Sequence, residues 1–267
     1  MCKKSINFVA VILATVVVIG LSSCKDKEVY YSCDPTIDAV IKQNLPYYEG
    51  MTREEWKNLP DSLKRAAFAA MNPELKKEFW WGKLNEIKEA KFFNNAEKEH
   101  IALLYNYLLS IDDFFTDKYT ENLELQQNVL EYYKEWAFYG CDFLDWEVID
   151  VILIAEDPEE LDEDYIEHVK MNTKPATELT QAGSTCNCLY NVYCERKYGT
   201  LCEESECDKK LYNCGIFLSS ECKRKCYEPK PGSGNNSGSQ IGEEKLKFFQ
   251  NMTKRELFEE MFKELSE

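Results

Sequence analysis

Eight cysteines crowd into one short stretch: Cys186, Cys188, Cys194, Cys202, Cys207, Cys214, Cys222 and Cys226. The gaps between them are one, five, seven, four, six, seven and three residues. Sulfur at this density implies either cross-links or a metal. Zinc sites usually draw on paired ligands such as Cys-x-x-Cys, often completed by histidine. This stretch contains no Cys-x-x-Cys and no histidine. Its other residues include Asn187, Asn191, Gly199, Glu203, Asp208, Gly215 and Ser219, with few aliphatic ones. Such a segment buries too little apolar surface to hold itself together. Disulfides are the expected remedy, each worth about 2–4 kcal/mol, in an oxidising compartment. Spacing alone does not give the connectivity.

The N-terminus bears on that compartment. Lys3 and Lys4 precede an apolar run from Phe8 to Leu21, interrupted only by Thr15. The run is short for a membrane span and suits the core of a signal peptide. Leu21-Ser22-Ser23-Cys24 follows and resembles the bacterial lipobox, in which the cysteine is acylated and becomes the new N-terminus. On that reading Cys2 is discarded and Cys24 carries lipid. Several acyl chains anchor stably where one does not. Ten thiols then remain, the eight above with Cys33 and Cys141. All ten are disulfide candidates, and Cys33 with Cys141 is the expected pair outside the cysteine block. The protein is expected to be exported and lipid-anchored to the bacterial envelope, at the outer membrane; its leaflet is left open.

The formal net charge is −16, without a strongly basic cluster. Nucleic acid is therefore not an expected partner, because phosphate contacts need Lys and Arg. Simple electrostatic adhesion to anionic lipid is disfavoured for the same reason.

The fold expectation is mainly α: a multi-helix domain, a small disulfide-rich irregular domain, and a C-terminal amphipathic helix. The expected divisions are a signal peptide over 1–23, a tether over 24–33, the helical domain over 34–171 and a linker over 172–185. The cysteine domain follows over 186–228, a Gly/Ser/Asn linker over 229–240 and the last helix over 241–267. Asp34-Pro35 is an N-cap followed by proline at the first helical position. Ile37, Val40, Ile41 and Leu45 make its inner face. Thr52 and Glu55 form a capping box, with Met51 stapled to Trp56. Leu63, Ala66, Ala67 and Ala70 line the next helix. Asn72-Pro73 opens a longer one with Leu75, Phe79, Trp80, Leu84 and Ile87 inward. Asn95 is the expected cap of another, carrying Ile101, Leu104, Tyr105 and Leu108. Leu125, Val129, Tyr132 and Trp136 recur at helical spacing. Val148 to Ile154 is almost wholly apolar and reads as buried helix or strand, with helix favoured by its surroundings. Asp157-Pro158 is expected to start an acidic helix running to about Met171. At the end, Thr253 and Glu256 repeat the capping pattern. Leu257, Phe258, Met261, Phe262 and Leu265 give that helix an apolar face to bury, on its own domain or on a partner chain.

Candidate chemistry is sparse. His100 and His168 are the two histidines. Glu97-x-x-His100 resembles half of a di-iron carboxylate motif, but Tyr165 stands where the second half would need glutamate. The acidic run from Glu156 to Asp164 lacks the glycine and ligand spacing of a calcium loop; a solvated helix start is expected there. The aromatic stripe of Phe79, Trp80, Trp81, Phe92, Phe93, Phe114, Phe115 and Trp136 reads as core. No nucleophile elbow, phosphate-binding loop or dinucleotide fingerprint is present. No catalytic residue, metal ligand or cofactor is expected.

Several motifs together carry a resemblance. They are Cys33-Asp34-Pro35-Thr36-Ile37-Asp38, Met51-Thr52-Arg53-Glu54-Glu55-Trp56, Phe79-Trp80 with Lys83-Leu84, Glu97-Lys98-Glu99-His100-Ile101, and Cys186-Asn187-Cys188. From about Cys33 to Cys226 the chain resembles the bacteriocin fulvocin C-related proteins, bacterial lipoproteins with a cysteine-rich end. The tail after Pro229 departs from their usual ending. The resemblance implies no catalytic residues. It leads to the expectation of a non-enzymatic, envelope-anchored lipoprotein whose helical scaffold presents a disulfide-stapled interaction or antibacterial module. Alternatives are an immunity or envelope-homeostasis lipoprotein, or an enzyme with an unrecognised site. A protein partner would engage the cysteine-rich domain or the C-terminal helix.

Overall fold

The computed structural model describes residues 29–161, 193–194, 211–222, 247–249 and 251–266, and the backbone of 201–204 and 224–227. Cys24 and the rest of the expected leader lie outside these residues, as do His168 and the expected linkers. The described chain is mainly helical. In order it forms α1 (Pro35–Gln43), α2 (Leu45–Glu49), α3 (Arg53–Lys57), α4 (Asp61–Ala70), α5 (Pro73–Glu89), α6 (Asn95–Leu109), α7 (Asp117–Thr120), α8 (Leu123–Phe143) and α9 (Val148–Ala155). Four short strands follow, β1 (Leu201–Glu204), β2 (Tyr212–Cys214), β3 (Ser220–Glu221) and β4 (Arg224–Tyr227), then α10 (Lys254–Ser266).

Local chemistry sets the helix starts. Asp34 accepts from the Thr36 and Ile37 amides, and proline follows it at the first position. Thr52 and Glu55 close the expected capping box on α3. On α6 the cap is Asn94 rather than Asn95, and Glu97 completes a capping box with it. That box puts the Glu97 side chain over the helix start, one residue earlier than the sequence suggested. The apolar run Val148–Ile154 is helical, and all its residues but Asp150 are buried.

The helices build one core. α1 and α2 pack on α4, α3 on α4 and α5, and α5 on α6; α6, α7, α9 and α10 all pack on α8. The aromatic stripe is largely interior: Phe79, Trp80, Phe93, Phe114 and Trp136 are buried, and Trp81, Phe92 and Phe115 pack against them. Phe79 meets Trp56 and Phe68 edge-on, with ring centroids at 4.9 and 5.1 Å.

Three expectations need correction, and the end of the expected tether over 24–33 makes contacts of its own. The Tyr31 amide donates to Asp38 Oδ1 at 2.8 Å, and Cys33 is disulfide-bonded. Cys33 does not pair with Cys141, which is a buried free thiol within reach of the Lys254 and Arg255 charges of α10. No helix starts at Asp157, because residues 156–161 run irregularly; the rest of that expected helix lies outside the described residues. Nor is this acidic segment solvated at its start, since Glu156 and Asp157 are buried.

The C-terminal helix docks on its own domain. Leu257, Phe258, Met261 and Phe262 are buried, with Phe262 5.4 Å from Tyr133 and Phe258 5.9 Å from Phe138. Arg255 pairs with Asp142 at 2.8 Å, fixing the helix at its edge.

Candidate functional site

Among the described residues, the cysteine block meets the helical body through a hairpin and through Tyr193 and Cys194. β2 pairs with β3 antiparallel, Tyr212 opposite Glu221 and Cys214 opposite Ser220. A disulfide joins Cys214 to Cys222 across it. Between them Gly215, Phe217 and Leu218 take φ values of 65°, 51° and 55°. Gly215 adopts that conformation freely; Phe217 and Leu218 do so at a cost of about 1 kcal/mol each or more. Packing offsets the cost, because Ile216, Phe217 and Leu218 are all buried in the same core as the helices.

Phe217 is the anchor. Its ring stacks on Trp80 at 4.4 Å and leans on Tyr105 at 4.6 Å. Trp80 Nε1 donates to the Phe217 carbonyl at 3.1 Å. On the α4 side, Arg65 Nη1 donates to the Asn213 carbonyl and Nη2 to the Tyr193 hydroxyl, both at 2.9 Å. Burial pushes the Tyr119 phenol up to about 12, against a hydrogen bond with Ser219 of the hairpin. Cys33, at the head of α1, packs against the Cys214–Cys222 pair. Cys194 is buried and disulfide-bonded as well. The described hairpin of this small disulfide-closed region is therefore packed into the helical core.

A second junction fixes the acidic segment. Lys83 is fully buried, and its ammonium donates to the Leu153 carbonyl at 2.6 Å and to the Asp157 carbonyl. Tyr133 donates to Glu156 at 3.0 Å, and Asp157 Oδ1 accepts from the Glu159 amide. Arg53 reaches the Pro158 carbonyl and grips Glu86 through two nitrogens, at 3.0 and 2.6 Å. Lys57 joins Glu86 to Glu160, and Lys64 pairs with Glu159. Burial raises the Glu86 pKa, but the hydrogen bonds and charges of Arg53 and Lys57 outweigh it and hold the carboxyl below its usual value. These carboxylates serve as tie points.

Glu97 and His100 do not converge on a ligand. His100 Nε2 donates to the Trp136 carbonyl and Trp136 Nε1 donates to the His100 carbonyl, both at 2.9 Å. The two rings stack at 5.5 Å. Burial lowers the His100 pKa, and the Trp136 hydrogen bond opposes it. Glu97 accepts from Trp146 Nε1 at 3.0 Å as well as capping α6. Beside it lies a cavity of about 240 Å³, lined among others by Phe92, Phe93, Trp146 and Asp150. That is just below the usual range for small-molecule sites, roughly 300–1,000 Å³. Its carboxylates are engaged: Asp150 caps α9 and Asp145 pairs with Lys254. Among the described residues no group of three His, Cys, Asp or Glu side chains is placed to hold a metal. Among the same residues, no helix is long and apolar enough to cross a membrane.

No family model matches the chain, and neither a curated protein nor a solved structure matches it. The geometry defines a class of fold: a helical body with a disulfide-closed hairpin sealed into its core.

Proposed function

We propose that this is an exported, Cys24-acylated lipoprotein of the bacteriocin-related type that acts by binding rather than by catalysis. The observation that carries the reading is the Cys214–Cys222 hairpin, a cross-linked element whose apolar tip completes the helical core. Disulfides of this kind persist in oxidising compartments, which agrees with the lipobox-like Leu21-Ser22-Ser23-Cys24. In this reading the hairpin is the root of the cysteine module. The helical body is its scaffold, and a partner or target is met by module surface away from the Phe217 contact. An immunity or envelope-homeostasis role uses the same arrangement with a different target. The hydrogen bonds that occupy His100 and Glu97 favour binding over an enzymatic role.

The test is fractionation with fatty-acid labelling. The wild-type protein should incorporate labelled palmitate and sediment with the outer membrane; Cys24→Ala should lose both. Label retained in the variant, or wild-type protein found in the cytosol, would remove the proposal. Separately, the purified oxidised full chain should inhibit a related strain if the module is antibacterial, and inactivity across a broad panel would leave the binding roles.

A further inference from the structure

The strands β1 and β4 run antiparallel with Leu201 opposite Tyr227, Cys202 opposite Cys226, Glu203 opposite Lys225 and Glu204 opposite Arg224. Directly opposed residues in such a ladder have Cα atoms about 4.5 or 5.5 Å apart, depending on the type of pair. Both separations fall inside the range that disulfides span, about 4.4–6.8 Å. The sequence also favours this register. It sets two glutamates opposite a lysine and an arginine, whereas a slip of one residue in either direction would set a cysteine opposite a different residue type. We propose that Cys202 and Cys226 form a disulfide, an outer clasp around the inner Cys214–Cys222 bridge. The bond forms by thiol–disulfide exchange. The two thiols give up two protons and two electrons, and a donor disulfide of the oxidising compartment is reduced to two thiols.

The nested pair has a consequence for the remaining sulfurs. Cys33, Cys194, Cys214 and Cys222 are bonded and Cys141 is free. With Cys202 and Cys226 also bonded, only Cys186, Cys188 and Cys207 remain of the ten thiols counted in the mature chain. Once Cys141 is set aside, nine cysteines are available for pairing, an odd number. By parity, one of those three is then left without an intrachain partner. This second step rests on the proposed acylation of Cys24; the Cys202–Cys226 assignment does not.

Peptide mapping of the full chain, purified without reductant and alkylated in denaturant, tests both steps. Trypsin leaves Cys202 and Cys207 in one peptide, so a glutamyl endopeptidase is added to separate them at Glu203, Glu204 and Glu206. The expected product links the Cys202 fragment to the Cys226 fragment and disappears on reduction. Cys202→Ser should make Cys226 newly alkylatable. Cys202 found free, or joined to any other cysteine, overturns the assignment. For the count, intact mass should show two alkylated cysteines per chain, or one in a covalent dimer; none, or three or more, overturns it. A mass lacking the acyl group removes the lipoprotein reading and the count while leaving the cross-link result standing.

Discussion

Replacing Phe217 with alanine separates an integrated hairpin from an appended one. Phe217 is fully buried, stacked on Trp80 and packed on Tyr105 and Phe114. Truncating a buried phenylalanine costs about 3–5 kcal/mol. The aromatic contacts, each worth about 0.5–1.5 kcal/mol, put this site near the upper end. The Trp80 bond to the residue 217 carbonyl survives the change, and alanine at φ 51° relieves little backbone cost. A whole domain is typically stable by only about 5–15 kcal/mol, so a large fraction is at stake. The assay is urea unfolding under non-reducing conditions, followed by far-ultraviolet circular dichroism, which reports the helices. With a slope of about 3 kcal/mol per molar for a chain of this size, the helical midpoint should fall by about 1–2 M. Phe248→Ala, at an exposed ring, is the control and should change stability by less than about 0.5 kcal/mol. An unchanged helical midpoint in Phe217→Ala, with Cys214–Cys222 intact, would show that hairpin and helices unfold independently and would refute the shared core.

Other substitutions test other joints. A methyl group at Gly140 would run into the Trp146 ring, so Gly140→Ala should destabilise by about 1–3 kcal/mol in the same unfolding assay. Arg65→Met removes the bonds to Asn213 and Tyr193; it should cost about 1–3 kcal/mol and speed hydrogen exchange in 211–222 ahead of the helices. Burial holds the His100 pKa below the ordinary histidine value of about 6.5, so the unfolded chain takes up the proton more readily than the folded one. Its contribution is full above about pH 6.5 and declines as pH falls toward the depressed folded value; His100→Gln should flatten that part of the pH–stability curve. Thr52→Ala breaks the α3 capping box and should cost about 1 kcal/mol by urea midpoint.

The helical body was legible because its signals are local. Capping residues, prolines at first positions and apolar spacing each act within a few residues, and they place α1, α3, α5, α6 and α10 nearly where they lie. Residues whose surroundings come from distant chain were not legible. Glu156 and Asp157 read as solvated charges because nothing nearby announces Tyr133 or Lys83. Lys83 and Tyr133 sit inside helices whose charged and aromatic pattern gives no hint that they are fully buried. The insertion of the hairpin did leave a trace. Gly215-Ile216-Phe217-Leu218 is the one compact apolar tetrad in an otherwise polar cysteine block, and three large side chains after a glycine need a core to enter. The Cys33–Cys141 expectation rested on counting thiols, which carries no information about distance; Cys33 lies by the hairpin and Cys141 near the Lys254 and Arg255 charges of α10.

The most direct measurement of the central claim is the intact mass of protein extracted from membranes without reductant, before and after alkylation in denaturant. The account predicts a chain beginning at Cys24, heavier by its acyl groups, with most cysteines closed to the reagent and Cys141 open to it. A chain retaining residues 1–23, without lipid and with nearly every cysteine alkylated, would contradict it.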